Sequence, residues 1–265
     1  MIFYLALSVF FCMCTMSGVW FIYRWTEKAS WVDVAWSFLF GVLALVYFLG
    51  LSPQGIRHFL MATMAIFWSF RLTFHLFFRV LRSTEDGRYL ALQERWGKSA
   101  PLKFFLFYQF QGIFNGLLAF PFLLVSLDPR LEVHLLEGLA FLLWMIALLG
   151  ESLADRQLKQ FKRSPENQGR VCQQGLWRYS RHPNYFFEFL IWCSFALFAF
   201  KALSPWGQLS FLLPALMLYL LLNVTGIPET EKQSLRSKGE AYREYQERTS
   251  AFIPWFPQKK KELDP

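Results

Sequence analysis

Apolar positions along this chain fall in long unbroken blocks rather than in the spaced stripes of a soluble amphipathic helix. Seven blocks, at residues 2–23, 31–51, 59–81, 102–127, 135–153, 185–203 and 209–226, approach the roughly 20 apolar residues that a helix needs to cross a hydrocarbon core of about 30 Å. The first starts without the positive leader and small-residue cleavage site of a signal peptide, so it predicts a transmembrane helix. The connecting segments carry their own pattern. Residues 85–97 have turn residues followed by a short helical spacing of Tyr89, Leu90, Leu92 and Trp96, and residues 154–162 continue the fifth helix beyond its apolar part. Residues 230–248 read as a polar helix entered after Pro228, which ends the seventh block. The predicted fold is all-α: a polytopic transmembrane helix bundle of about seven spans with cytoplasmic loops and a C-terminal polar helix.

Charge sets the orientation. Twenty-three of the 27 Lys and Arg residues fall in alternate connections and the tail, while the opposite loops hold only Arg57, Arg130 and Lys201. Positive residues in short loops mark the cytoplasmic side, which places the N-terminus outside and the C-terminus inside. The net charge of +8 lies between apolar blocks and not on one amphipathic face, so it argues for membrane topology and against nucleic acid. The small Lys259 to Lys261 cluster reads as a headgroup-facing tail. Composition agrees: 55% of residues are hydrophobic and only 17% charged, against roughly 25% charged in soluble domains. Cys12, Cys14, Cys172 and Cys193 are scattered without zinc-type spacing, so neither a disulfide framework nor a metal site is expected.

Polar side chains inside membrane helices are costly and therefore candidates for function, with helix-to-helix hydrogen bonding as the alternative. In the first half these are Asp33 beside Trp36, Arg71 and His75 on one helical face, and Gln109, Gln111 and Asn115. They form either an interior polar network or the wall of an active site. His75 has no histidine partner at helical spacing, so no metal role is assigned. In the fifth helix Glu151, Asp155 and Lys159 recur every four residues, with Lys162 one turn further on. The column passes from acid within the span to base at its edge. It is either a set of intrahelical ion pairs with snorkelling lysines or a cofactor grip, acids deep and lysines at the surface.

The stretch GLWRYSRHPNYFFE, residues 175–188, is the most informative. Pro183 suits the first turn of the sixth helix because its missing N–H has no intrahelical partner there, leaving the positive helix end beside Arg178, Arg181 and His182. Asn184 and Glu188 then enter the membrane on one face. Downstream, Glu231, Lys238, Tyr242 and Tyr245 fall at roughly helical intervals before Phe252-Ile253-Pro254-Trp255. This tail is either a lid over the pocket or an interfacial amphipathic helix.

These motifs, together with residues 151–162 and TGIPETEKQSLRSKGEAYREYQERTSAFIPWFP at 225–257, resemble the steroid 5-alpha-reductase C-terminal superfamily. The similarity is closest to its uncharacterised bacterial membrane branch, where it extends to DVAWSF at 33–38, FWSFRLTFHLFFR at 67–79, EDGRY at 85–89 and Trp96-Gly97. The steroid and sterol reductases proper match in the C-terminal half. The resemblance implies an inner-membrane oxidoreductase that binds NADPH in a pocket open to the cytoplasm and reduces a carbon–carbon double bond of a steroid-like or other lipid. It divides the chain into a substrate-side region, 1–130, and a cofactor region, 131–265.

Carried over by position, Asp155 and Lys162 match the family's cofactor-binding aspartate and basic residue, and Glu151 stands where the steroid enzymes tend to have Asn. Tyr179, Asn184 and Glu188 match its tyrosine, asparagine and acid, and Tyr245 its tail tyrosine. The phosphates are then expected among Lys159, Lys162, Arg178 and Arg181, and the nicotinamide near Asn184 and Glu188. Tyr89, His75 and Tyr108 are the candidate proton donors, since the steroid enzymes' substrate-side acid and tyrosine have no aligned match here. The run from Arg181 through His182 and Pro183 to Tyr185, with the tail acid Glu231, also resembles membrane methyltransferases of the isoprenylcysteine and phospholipid type, which use S-adenosylmethionine. Against that alternative, Phe186-Phe187 replaces the small residue that typically follows the tyrosine. A non-enzymatic membrane scaffold is the third reading.

Overall fold

The computed structural model describes residues 1–82 and 84–258, so the Lys259 to Lys261 cluster lies outside the described residues. Among those described there are eleven α-helices and no strand: α1 (Ile2–Thr26), α2 (Trp31–Leu51), α3 (Ile56–Arg82), α4 (Gly87–Trp96), α5 (Ala100–Leu118), α6 (Phe120–Leu127), α7 (Leu135–Arg163), α8 (Pro183–Ala199), α9 (Leu212–Asn223), α10 (Ile227–Lys238) and α11 (Glu240–Arg248). Six helical stretches are long and apolar enough to cross a membrane: Ile2–Thr26, Trp31–Leu51, Ile56–Arg82, Gly87–Leu127, Leu135–Arg163 and Trp206–Lys238. The chain is an integral multi-pass membrane protein. The block expected at 185–203 forms the 17-residue α8, about 26 Å long at 1.5 Å per residue, slightly less than the hydrocarbon thickness. Large side chains such as Phe3, Phe10, Phe21, Phe67 and Leu149 point outward from these helices, as lipid-facing positions require.

Two details of the helix boundaries differ from the pattern read along the chain. The block at 102–127 is broken at Ala119, where Pro121 in the first turn of α6 has no N–H to continue the ladder of α5. The polar tail helix expected at 230–248 is two helices. Gly239, at φ 54°, ends α10 and starts α11, in a conformation that residues with a Cβ rarely adopt. Pro228 lies in the first turn of α10, and the apolar helix has already ended at Asn223.

The chain forms two compact units. The first comprises Met1–Phe141 with Phe195–Leu213. Within it α1 packs on α5 through Gly112 and Gly116, one helical turn apart. A Cβ built on Gly116 would lie 2.7 Å from the Val9 Cα, and one on Gly112 would lie 3.1 Å from the Met13 Cα. Small residues at this spacing let two helix backbones approach closely, which is how membrane helices gain packing energy without a hydrophobic driving force. Helices α2 and α3 meet through small hydroxyls: Ser69 Oγ donates to the Ser37 carbonyl and accepts from the Gly41 N–H at 2.8 Å. Trp68, Phe40, Phe122 and Phe195 interlock, edge to face except for the tilted Phe40–Trp68 pair.

The second unit comprises Leu142–Ser194 and the chain from Pro214. Its centre is the segment linking α7 to α8. The Trp177 indole donates to the Ala154 carbonyl at 2.9 Å, and the Leu176 N–H donates to Gln157 Oε1 at 2.9 Å. The tail closes on the same segment: Tyr245 donates to the carbonyls of Trp177 and Ser180, and the Ser180 hydroxyl donates to Phe252 O.

Candidate functional site

In the second unit, α7, the 3-10 turn Gly175–Arg178, the start of α8 and the start of α10 gather most of the expected cofactor residues. Helix α8 begins at Pro183, as its missing N–H predicts. Arg181 sits just before it and is held by protein through two of its three guanidinium nitrogens. Its Nε donates to Glu231 at 2.7 Å, and one terminal nitrogen donates to the carbonyls of Gln246 and Thr249. Glu231 also accepts from Gln246 Nε2 and lies 3.2 Å from His182 Nε2. The His182 and Tyr185 rings stack with an interplanar angle of 5°, and the Tyr185 hydroxyl lies 3.1 Å from Thr230 Oγ1. Burial pushes the His182 pKa below its usual value. The Glu231 carboxylate pulls it the other way and Arg181 adds to the lowering.

This cluster latches the tail to the mouth of α8. Tyr245 belongs to the same latch, as does Tyr179, whose carbonyl accepts from the Trp255 N–H while its ring meets Phe256 edge to face. Arg181 thus directs donors to Glu231 and two carbonyls; Lys159, Lys162 and Arg178 lie at exposed positions. Further in, Glu188 is buried and accepts from the Trp192 indole at 3.0 Å. Glu151 is 4% exposed and Asp155 half-buried. Among the described residues the buried Oδ1 of Asn184 has no hydrogen-bond partner, an acceptor left available at a cost that buried polar groups normally avoid. The arrangement offers amide and carboxylate groups on one face of α8, with cations at the ends of α7 and of the 3-10 turn.

The expected proton donors lie in the first unit, where the EDGRY stretch joins α4 to the start of α2. Glu85 accepts from the backbone N–H groups of Ala29 and Ser30, and Asp86 caps α4 by accepting from the Arg88 N–H. Asp33 is the centre: it accepts from the Tyr89 hydroxyl at 2.6 Å and from Arg79 and Arg88 at 3.2 Å each. Burial alone would push Asp86 up, but the Arg88 charge and its hydrogen bonds, with Arg79 beyond, hold it below the usual carboxylate range. Tyr108 donates to the Ala29 carbonyl at 2.6 Å. Both tyrosines thus hold the connection between α1 and α2 or its neighbour α4, and His75 is half-buried on α3. Gln109 and Asn115 make helix-to-helix bonds, to Ser17 and to the Trp36 carbonyl.

A family model described as a protein of unknown function, DUF1295, matches residues 19–249. The chain belongs to that family. An uncharacterised protein of Schizosaccharomyces pombe is 30% identical over 270 aligned residues, covering 89% of this chain and 75% of the yeast protein. No solved structure matches the chain. The DUF1295 match takes in both the Asp33–Tyr89 joint and the Arg181–Glu231 latch, so the two polar centres fall within the family region.

Two groupings were not legible along the chain. Asp33 and Tyr89 are 56 residues apart, and only the turn at EDGRY brings them into contact. Arg57 reads as one of three stray charges on the sparsely charged side. It is fully buried, with Nε 2.6 Å from Glu137 and a terminal nitrogen 3.6 Å from Asp128. Burial would raise Asp128, but hydrogen bonds from Arg130 and from the Leu203 N–H, with the Arg57 charge, hold it down at about 2. The available signal was scarcity: in loops with so few charges, Arg57, Asp128, Arg130 and Glu137 stand out together.

Proposed function

We propose that this DUF1295 protein is a membrane oxidoreductase of the steroid 5-alpha-reductase type, using NADPH to reduce a carbon–carbon double bond of a lipid. It would sit in a bacterial inner membrane with its C-terminus cytoplasmic, as the charge bias of the loops favours. The observation that carries the reading is the unpartnered, buried Oδ1 of Asn184, one turn from the buried carboxylate of Glu188. These residues fit a nucleotide cofactor: Asn184 and Glu188 would hold the nicotinamide end, Asp155 and Glu151 the ribose hydroxyls, and Lys159, Lys162 and Arg178 the phosphates. NADPH, when bound, supplies a hydride. The protein's part is to orient it, exclude water and supply a proton. Tyr89, His75 and Tyr108 are the candidate donors, and the Tyr89 hydroxyl is bonded to Asp33.

A second reading, S-adenosylmethionine-dependent methyl transfer, draws on the direct contact of His182 with the tail acid Glu231. Ligand-induced stabilisation separates the two, because a ligand that binds only the folded state raises the unfolding midpoint. The purified protein is expected to respond to NADPH and not to S-adenosylmethionine. Asn184→Ala and Glu188→Ala should each weaken NADPH binding by about tenfold or more, the worth of one lost charge-assisted or buried hydrogen bond. Stabilisation by S-adenosylmethionine alone would replace the reductase reading with the methyltransferase one. Unchanged NADPH affinity in both variants would remove Asn184 and Glu188 from the site.

A further inference from the structure

After α11 the chain closes on itself. The Gln258 N–H donates to the Arg248 carbonyl at 2.8 Å, which ties off residues 249–257 as a loop without helix. The loop is pinned to the segment that enters α8. The Arg181 N–H donates to the Ser250 carbonyl, the Ser180 hydroxyl to Phe252 O and the Trp255 N–H to the Tyr179 carbonyl, each at 2.8 Å. Phe252 is buried against the Phe186 and Phe189 rings of α8. Between these pins the loop turns apolar side chains outward. Ile253, Trp255 and Phe256 are 61%, 69% and 75% exposed, although they belong to none of the six helical stretches able to cross a membrane. Apolar residues scattered singly on a surface are ordinary, but three within four positions on a pinned loop form a patch.

The depth of this loop follows from α7. The exposed apolar side chains of that helix run through Ile146 and Leu149 to Leu153, and the exposed positions that follow are polar, Arg156 and Lys159 among them. That change marks the edge of the hydrocarbon along α7. Just past it the Ala154 carbonyl accepts from the Trp177 indole, and the Gln157 side chain accepts from the Leu176 N–H. The Gly175–Arg178 turn, and the loop pinned to the residues after it, therefore lie at the level where α7 leaves the apolar layer. Helix α11 has the opposite character: it buries Tyr242 and Tyr245 and exposes Glu240, Arg243, Glu244 and Glu247. The apolar element of the tail is thus the loop and not the helix. Its backbone agrees, because irregular chain near hydrocarbon needs its N–H groups satisfied or absent. Pro254 and Pro257 carry no N–H, and those of Trp255 and Gln258 are bonded to carbonyls.

We propose that this loop is a membrane anchor: Ile253, Trp255 and Phe256 enter the headgroup and upper acyl layer of the leaflet beside the Leu153 end of α7, and so hold the tail against the start of α8. Trp suits this depth because its ring is apolar while its N–H seeks a polar partner. Residues 249–258 contain no Asp or Glu, so no carboxylate of the loop opposes lipid phosphate. The occupant is lipid rather than a protein partner because the patch continues, at the same level, the lipid-facing row of α7 that ends at Leu153. Of the two roles the tail spacing allows, lid or interfacial element, the anchor gives the interfacial one to the loop.

The test uses the full chain in nanodiscs of phosphatidylcholine and phosphatidylglycerol. Trp255→Phe keeps the patch apolar, and the emission lost on this substitution isolates Trp255 from the other tryptophans. An unfolding midpoint equal to the parent's verifies the fold. Phospholipids brominated near their carbonyls should quench that difference emission strongly, and aqueous iodide weakly. Stronger quenching by iodide puts Trp255 in water and overturns the anchor. Quenching by neither means that protein covers the ring, from a second copy or another partner, and overturns it too. If Trp255→Phe shifts the midpoint, Phe256→p-benzoylphenylalanine takes its place. On illumination it should form a lipid adduct, as should Leu149→p-benzoylphenylalanine on the outward face of α7, whereas Arg243→p-benzoylphenylalanine on α11 should not. A protein adduct at position 256, or none while position 149 reacts, refutes the insertion. The holding role is read separately by amide exchange at Arg181 and Trp255, whose N–H groups pin the loop. In nanodiscs the double variant Trp255→Ser with Phe256→Ser should quicken both, and unchanged exchange overturns that role.

Discussion

Replacing Arg57 by Ala should be among the most damaging single changes outside the candidate site. The guanidinium is fully buried, and its partner Glu137 is 2% exposed with Nε to Oε1 at 2.6 Å. Removing one member of a buried ion pair strands the other charge away from water, which typically costs about 3–5 kcal/mol. The lower end applies here because Asp128 keeps Arg130 at 2.8 Å and the Leu203 N–H at 3.0 Å. Among the described residues Glu137 keeps one bond that does not depend on Arg57, from the His134 N–H at 2.9 Å. About 3 kcal/mol is therefore expected for Arg57→Ala in denaturant unfolding from detergent micelles. The double variant Arg57→Met with Glu137→Leu should recover most of that loss, since an apolar pair of similar volume leaves no stranded charge. A double-mutant cycle then reports a coupling of opposite sign to the single losses. The reasoning fails if Arg57→Ala costs no more than the roughly 0–1 kcal/mol of an exposed pair such as Lys232 with Glu229, or if the double variant is as unstable as the single.

Two further expectations concern packing and pH. Gly116→Ala should destabilise by about 1–3 kcal/mol, the usual cost of overpacking, because the added Cβ meets Val9 backbone at 2.7 Å. Gly112→Ala should cost less, with contacts at 3.1 Å, and Gly138→Ala, whose Cβ would meet nothing within 4 Å, should be neutral or stabilising in the same unfolding assay. Equal effects at Gly116 and Gly138 would refute the close approach of α1 and α5. The tail latch should weaken in acid. Burial holds the folded His182 below the usual value, so below about pH 6.5 the unfolded chain takes up a proton that the folded chain resists. Stability is therefore complete above that pH and declines as the pH falls through the folded value. A thermal midpoint that rises on acidification, or a pH slope identical in His182→Gln, would contradict this.

Much of the fold was legible because membrane insertion imposes a local rule: a spanning segment must be helical and apolar for about 20 residues. That rule needs no tertiary information, and the helices α1, α2, α3, α5, α7, α8 and α9 follow the apolar blocks. Pro183 likewise announced the start of α8 through its own missing N–H. The breaks were less visible. Pro121 divides an apolar block, and Gly239 divides the polar tail, by backbone conformation without changing the hydrophobic pattern.

The candidate site divides in the same way. Sequence spacing placed Asn184 with Glu188, and Glu151 with Asp155 and Lys159, because helical period alone brings such pairs to one face. It could not show that Arg181 bonds Glu231 and two tail carbonyls, or that Tyr89 meets Asp33. Those contacts join residues from separate helices and loops, and a side chain's partners across such distances depend on how the chain packs. The sequence by itself determined a helical, membrane-spanning protein and the residue types available for chemistry. Only the tertiary structure decided which charges pair with one another across helices and loops, because pairing is set by proximity in space.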